Sequence, residues 1–108
     1  MGKDRGLRNF RVDLRAVVYS EGEWWIAHCL ELDLVAEGKT PDQALRDLME
    51  LSETQIETAI KAGNLESVFR SAPPQIWAMF STANDTAVRK RSARPPVERF
   101  DAREAVLV

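Results

Sequence analysis

The stretch from Trp24 to Leu51, WWIAHCLELDLVAEGKTPDQALRDLMEL, constrains the fold more than any other part of the chain. It opens with a short, almost wholly apolar run, continues with a second extended run that stops at Gly38, and ends with apolar residues at helical spacing. Before it, residues 10–19 alternate between apolar and mostly charged positions, and residues 20–23 have the length of a hairpin turn. The order of these patterns predicts three strands followed by a helix.

The start of the helix is marked by Thr40-Pro41-Asp42-Gln43. Threonine is a favoured N-cap, proline suits the first helical position, and an acid is stabilised by the positive end of the helix dipole. Gln43 can complete a capping box. We expect the helix to run to about residue 62 and to end at Gly63.

These elements predict an α+β fold, a small antiparallel sheet with one long helix on one face, in the order β-β-β-α-β. The last and least marked strand is expected at residues 65–69. Residues 1–9 are predicted to form a flexible leader, residues 10–82 the α+β domain, and residues 83–108 a basic arm that ends in an apolar, strand-like segment.

The second strand is apolar on both faces apart from His28. Ala27 and Cys29 are small enough to let the helix approach closely, so we place the helix on their face. Trp24 and Ile26 then lie on the other face, where a second chain or the C-terminal segment is expected to cover them. The chain is therefore predicted to form a homo-oligomer, a dimer or a tetramer, through Trp24, Ile26 and the apolar end formed by Val106, Leu107 and Val108.

Charge is distributed unevenly along the 108 residues, whose net charge is -2. Residues 1–20 carry five basic and two acidic side chains, residues 21–66 carry three basic and eleven acidic, and residues 67–108 carry seven basic and four acidic. An acidic centre between basic ends suits a basic partner, although charge alone favours an ordinary acidic helix flanked by solvated termini. The single cysteine and the short apolar runs predict a cytoplasmic protein that does not enter a membrane.

No catalytic, metal-binding or cofactor-binding residue is predicted. His28 and Cys29 are adjacent in a strand, so their side chains point to opposite faces and cannot share a metal or form a nucleophile pair. The carboxylates allow two interpretations. Glu31, Asp33 and Glu37 are expected to form an acidic rim that contacts a partner, while a divalent-metal nuclease that uses Asp13, Glu31 and Asp33 is the enzymatic alternative.

The basic run near the C-terminus provides a further alternative, because Arg89, Lys90, Arg91 and Arg94 could contact phosphates without regard to base sequence. Pro95 and Pro96 and the scarcity of apolar positions leave no room for a recognition helix. A nucleic-acid-binding adaptor that acts through this arm is one reading of the run, and a solvated arm is the other.

One pattern in the centre of the chain resembles a known family. The pattern reads W-x-A-x-C-x-x-L and then G-x-T-x-x-x-A-L. It is formed by Trp25, Ala27, Cys29, Leu32, Gly38, Thr40, Ala44 and Leu45. This spacing resembles the HicB-like antitoxin family of bacterial type II toxin–antitoxin systems, over roughly residues 10–65. Residues 66–108 match neither the helix-turn-helix nor the ribbon-helix-helix module that repressor members carry, so the resemblance is to a lone domain.

The resemblance implies a partial RNase H-like fold without catalytic acids. It also implies a non-enzymatic protein that binds and masks a small basic mRNA-cleaving toxin of the HicA type. Under this interpretation, Glu31, Asp33 and Glu37 would meet lysine and arginine side chains of the toxin.

Overall fold

The structure, a computed structural model, describes residues 10–83 and 96–105. The chain is an α+β protein, as the sequence predicts. Its elements in order are β1 (Val12–Glu21), β2 (Trp24–Cys29), β3 (Leu34–Gly38), α1 (Pro41–Lys61), a 3-10 helix (Leu65–Val68), α2 (Pro74–Thr82) and β4 (Val97–Glu104).

The four strands form one sheet in the order β3-β2-β1-β4. β1 to β3 pair in an antiparallel way, as expected, but β4 pairs with β1 in a parallel direction, so the sheet is mixed. A parallel neighbour requires a long crossover, which the segment containing both helices provides. The fourth strand is not at residues 65–69, where the chain forms the 3-10 helix. It lies within the part that we predicted to be an arm with a strand-like end, and it begins before the apolar C-terminal residues.

The hairpin between β1 and β2 is tight because Gly22 adopts a φ of 64°, a conformation that glycine reaches without steric cost. β1 continues to Glu21, two residues beyond the predicted end. This turn fixes the register in which Val17 lies opposite His28 and Tyr19 opposite Ile26.

α1 covers the first face of the sheet and begins as the sequence predicts. The Thr40 hydroxyl accepts a hydrogen bond from the Gln43 backbone N–H at 3.1 Å, and the Gln43 side chain accepts one from the Lys39 N–H at 3.2 Å. The helix ends at Lys61 with Gly63 at a φ of 68°. The core beneath the helix is built from buried residues of β1, β2, β4 and α1, with the half-buried Leu34 and Ala36 of β3 packed against it. Its buried residues include Leu14, Ala16, Val18, Ala27, Leu45, Leu48, Ile56 and Phe100.

A close backbone approach joins β3 to α1. A Cβ atom added to Gly38 would lie 2.6 Å from the backbone nitrogen of Ala44 and 3.1 Å from its Cα. Gly38 and Ala44 are both part of the family-like pattern, as are Ala27, Cys29, Leu32 and Leu45, and all six are buried. The pattern therefore encodes how the helix packs on the sheet.

The second face of the sheet is partly covered by α2, a helix that the predicted one-helix fold omits. Its buried residues Ile76 and Phe80 pack with Val17, Leu30, Ala72 and Ala105 in a second apolar cluster. Pro74 at the first turn suits a helix start, as proline does at N1. Ala72 N–H donates to the Leu30 carbonyl at 2.8 Å, which ties the segment before α2 to the loop between β2 and β3.

Candidate interaction surface

Glu31, the first of the three predicted partner-binding acids, is committed to a contact within the chain. Its carboxylate accepts hydrogen bonds from the Arg15 backbone N–H at 2.8 Å and from the Arg15 Nε at 2.6 Å. The Arg15 guanidinium also lies 4.9 Å from the centre of the Trp77 ring. The pair therefore links β1, the β2–β3 loop and α2, and its first role is to hold these elements together.

Asp33, the second acid, contacts the histidine of the neighbouring strand. Its Oδ1 lies 2.7 Å from Nε2 of His28, a residue that is buried on the second face. Asp33 has a φ of 54°, and its N–H donates to the Cys29 carbonyl at 2.9 Å, which closes the turn between β2 and β3. Aspartate tolerates this left-handed conformation better than most residues. His28 and Asp33 thus have a structural role in this turn.

Glu37 is the acid of the three that remains free for a partner. It is exposed on β3, and its carboxylate makes no hydrogen bond or ion pair with any described residue. On the same face of β2 and β3 lie Trp24 and Val35, with 43% and 46% of their surfaces exposed. The Lys39 ammonium lies 4.6 Å from the centre of the Trp24 ring. Together Trp24, Val35, Glu37 and Lys39 form a mixed surface, here called the β3 patch.

Ile26, which we predicted to lie at an oligomer interface with Trp24, is only 5% exposed in the single chain. The Ile26 side chain is thus already removed from solvent in the single chain and offers little surface to a second copy, and the oligomer interface itself stays a prediction. Trp24 remains on the surface. Val106, Leu107 and Val108 lie outside the described residues, and so do Arg89, Lys90, Arg91 and Arg94 of the basic run.

α1 contributes a second group of acids on the opposite side of the sheet. Asp47 and Glu50 are exposed on its outer surface and, with Leu51 and Thr54, line a shallow depression. Neither carboxylate forms an ion pair with a described residue. The outer face of α1 therefore presents two unpaired acids close together, whereas the β3 patch holds one acid, Glu37, and one base, Lys39.

The proposed metal-nuclease residues are not brought together. Within residues 10–83 and 96–105, no three side chains of histidine, cysteine, aspartate or glutamate are grouped so that they could hold a metal ion. Asp13 lies on β1, Glu31 is engaged by Arg15, and Asp33 is engaged by His28. The predicted acid cluster of Asp13, Glu31 and Asp33 is therefore absent from this part of the chain.

Cys29 is buried beneath α1 with its thiol unpaired. Burial, supported by the nearby charge of Glu31, raises the pKa of this thiol to about 12, against opposing contacts from backbone groups and the Ser52 hydroxyl. The Ser52 hydroxyl is itself fully buried and meets no hydrogen-bond partner of ordinary geometry. At neutral pH the thiol is neutral and packs as a small apolar group.

The sequence analysis did not identify Arg15 and Trp77 as the residues that contact Glu31 and link β1 to α2. Arg15 and Glu31 are separated by 16 positions, and no local spacing rule connects them. The available signal was the alternation in β1, which places Arg15 on the same face as Val17 and therefore beneath whatever covers that face. Trp77 lies on α2, and its contact with Arg15 depends on this helix crossing the second face of the sheet.

Comparisons with protein families, with curated proteins and with solved structures find no match for this chain. Neither helix in the described part of the chain combines the length and the apolar character needed to cross a membrane.

Proposed function

We propose that this chain is a non-catalytic, HicB-like antitoxin-type protein of the bacterial cytoplasm that binds and neutralises a small basic mRNA-cleaving toxin. The observation that carries the proposal is the resemblance pattern itself, since its residues lie at the junction of β2, β3 and α1 and specify one way of packing a helix on a small sheet. The exposed acids around that junction are consistent with a basic partner.

The contact surface that we propose differs from the acidic rim expected from the sequence. Glu31 and Asp33 are already paired with Arg15 and His28, so removing them would perturb the fold as well as any partner contact. Glu37 is exposed and unpaired among the described residues, and it lies beside the exposed Trp24 and Val35. Aromatic and apolar groups next to a charge are typical of the contacts that dominate binding energy. The β3 patch is therefore the proposed toxin-binding surface.

The proposal is tested by growth rescue. The neighbouring reading frame would be expressed alone and together with this chain, and growth and mRNA integrity would be followed. The expected result is growth arrest and mRNA cleavage by the neighbour alone, both reversed by this chain. Failure of the neighbour to arrest growth, or arrest that this chain leaves unchanged, would contradict the proposal.

Charge reversal then locates the surface. Glu37→Lys is expected to weaken the complex by roughly tenfold or more, which is about 1.4 kcal/mol. Glu66→Lys is the matched control, because it reverses another exposed negative charge, in the 3-10 helix and outside the β3 patch. A double reversal, Asp47→Lys with Glu50→Lys, tests the outer face of α1. Weakening by the double variant but not by Glu37→Lys would move the contact to α1.

A further inference from the structure

The 3-10 helix is followed by an aromatic residue that the fold leaves on the surface. Phe69, the residue after this helix, is 39% exposed. Its ring meets the ring of Phe10 edge to face, with the ring centres 6.4 Å apart and an angle of 61° between the planes. Phe10 in turn packs against the core beneath α1. The Phe69 ring is therefore held by a neighbour while the residue stays accessible to a ligand.

Each of these two phenylalanines is followed by an arginine. The Arg70 backbone N–H donates to the Glu31 carbonyl at 3.0 Å, whereas its side chain is exposed and makes no hydrogen bond or ion pair with any described residue. Arg11 is also exposed, and its Nε lies 3.6 Å from Glu98 in a solvent-accessible pair that costs little to separate. The four residues are here called the aromatic–arginine surface: Phe10, Arg11, Phe69 and Arg70.

Two basic stretches of the sequence join the described chain at this end of the sheet. Residues 1–9 hold three basic and one acidic side chain and precede Phe10, and residues 84–95 hold four basic and one acidic and precede Pro96. The two joining points are close, because the Val12 N–H donates to the Pro96 carbonyl at 3.0 Å. The described residues hold eight basic and fifteen acidic side chains. Basic charge therefore gathers beside the aromatic–arginine surface, at one end of an otherwise acidic protein.

We propose that the aromatic–arginine surface binds single-stranded RNA. An exposed aromatic ring offers a face on which an unpaired base can stack, and an arginine beside it can bind a phosphate of the same strand. RNA is the nucleic acid that ordinarily presents unpaired bases, in loops, bulges and single strands. The inference goes beyond toxin binding and does not depend on it, because none of the four residues belongs to the β3 patch.

The aromatic ring distinguishes this proposal from attraction by the basic stretches alone. Lysine and arginine side chains attract phosphates whatever the base, and this attraction weakens as salt rises because bound counterions are released. Stacking on Phe69 involves no net charge, so its contribution to the affinity persists at high salt. A loss of affinity that is the same at every salt concentration is therefore the signature of a stacked base.

The first test is fluorescence anisotropy of a labelled oligouridylate titrated with the purified full-length chain at several salt concentrations. Phe69→Leu keeps an apolar side chain against Phe10 but removes the stacking face, and it is expected to weaken binding at least about fivefold at each salt concentration. Phe69→Tyr retains the ring and should bind as the wild-type chain does. Far-UV circular dichroism checks that each variant is folded.

The second test uses the same titrations with arginine substitutions. Arg70→Gln removes one phosphate contact, so it is expected to weaken binding and to reduce the slope of log affinity against log salt by about 0.7, the value for one contact to a single strand. Arg46→Gln is the matched control, because it makes the same change at an exposed arginine of α1 outside the aromatic–arginine surface. It is expected to leave the affinity and the slope unchanged.

Binding that weakens with Phe69→Leu and Arg70→Gln, and not with Phe69→Tyr or Arg46→Gln, supports the proposal. A folded wild-type chain that does not bind the oligouridylate overturns it. Binding that neither Phe69→Leu nor Arg70→Gln changes overturns it as well, since the attraction would then come from the basic stretches alone. Tighter binding to an RNA duplex of the same length also contradicts the proposal, because the bases of a duplex are already paired and stacked.

Discussion

Replacing Gly38 by alanine tests the packing of β3 against α1. The added Cβ would lie 2.6 Å from the Ala44 nitrogen, and ordinary contact begins at 3.4 Å, so the strand and the helix must separate by roughly 0.8 Å. The obstructing atoms belong to the backbone of Gln43 and Ala44, and no change of side-chain rotamer can relieve the contact. Separation would loosen the packing of Leu45 and Leu48, which are fully buried in the core.

Overpacking of this kind costs about 1–3 kcal/mol and occasionally more. Since backbone atoms obstruct the added methyl group, we expect at least about 2 kcal/mol. For a domain of this size that loss corresponds to a fall in Tm of roughly 8–16 °C. Urea unfolding followed by far-UV circular dichroism would give the free energy of unfolding, and a thermal scan would give Tm.

Gly22→Ala is the matched control for this measurement. It adds the same methyl group where nothing lies within 4 Å, at a φ of 64°. Its cost is therefore that of the left-handed backbone alone, about 1–2 kcal/mol. If Gly38→Ala destabilises the chain by less than about 0.5 kcal/mol, well below this range for overpacking, the close approach of β3 and α1 is refuted.

The remaining predictions concern single buried or capping groups. Thr40→Ala removes the hydroxyl that caps α1 and should lower the free energy of unfolding by about 1 kcal/mol in urea titrations. Thr40→Ser keeps a capping hydroxyl and should therefore keep most of that stability. Ser52→Ala removes a buried hydroxyl that has no hydrogen-bond partner of ordinary geometry and should leave stability unchanged or raise it. A loss above about 1 kcal/mol would mean that the hydroxyl is bonded, with the Cys29 thiol as the nearby group. Cys29 has a folded pKa of about 12 against a usual 9.0, so the stability that its neutral thiol contributes is complete below pH 9 and is lost as the pH rises towards 12. Urea titrations across that interval should therefore show a steeper loss for the wild-type chain than for Cys29→Ala, and equal slopes would contradict the assignment.

The local part of the fold could be predicted from the sequence because its signals are local. The alternation of apolar and polar residues predicts the first strand, and Gly22 marks the hairpin turn that follows it. Thr40 and Pro41 mark the start of α1, and Gly63 marks its end. The parallel strand β4 could not be placed in the same way. Its pairing with β1 joins residues more than 80 positions apart, such as Val12 and Val97, and its many charges hide the strand pattern.

The same difference between local and tertiary signals applies to the candidate interaction surface. The sequence identifies Glu31, Asp33 and Glu37 as an acidic group, but it does not show which of them have partners. Arg15 reaches Glu31 from another strand, and His28 reaches Asp33 across a turn that requires a positive φ at the aspartate. Such partners depend on the tertiary fold, so the exposed Glu37 could be distinguished from the other two once the sheet and the β2–β3 loop were placed.

We propose that this chain is a binding module for a small basic toxin. The most direct test is to express the chain, tagged, with its native neighbouring reading frame, and to determine the mass and stoichiometry of the purified complex. We expect a stable complex with the neighbour's small basic product, and Glu37→Lys should weaken that complex while Glu66→Lys leaves it intact. A tagged chain that purifies without the neighbour's product, although both are expressed and folded, would contradict the proposed binding function.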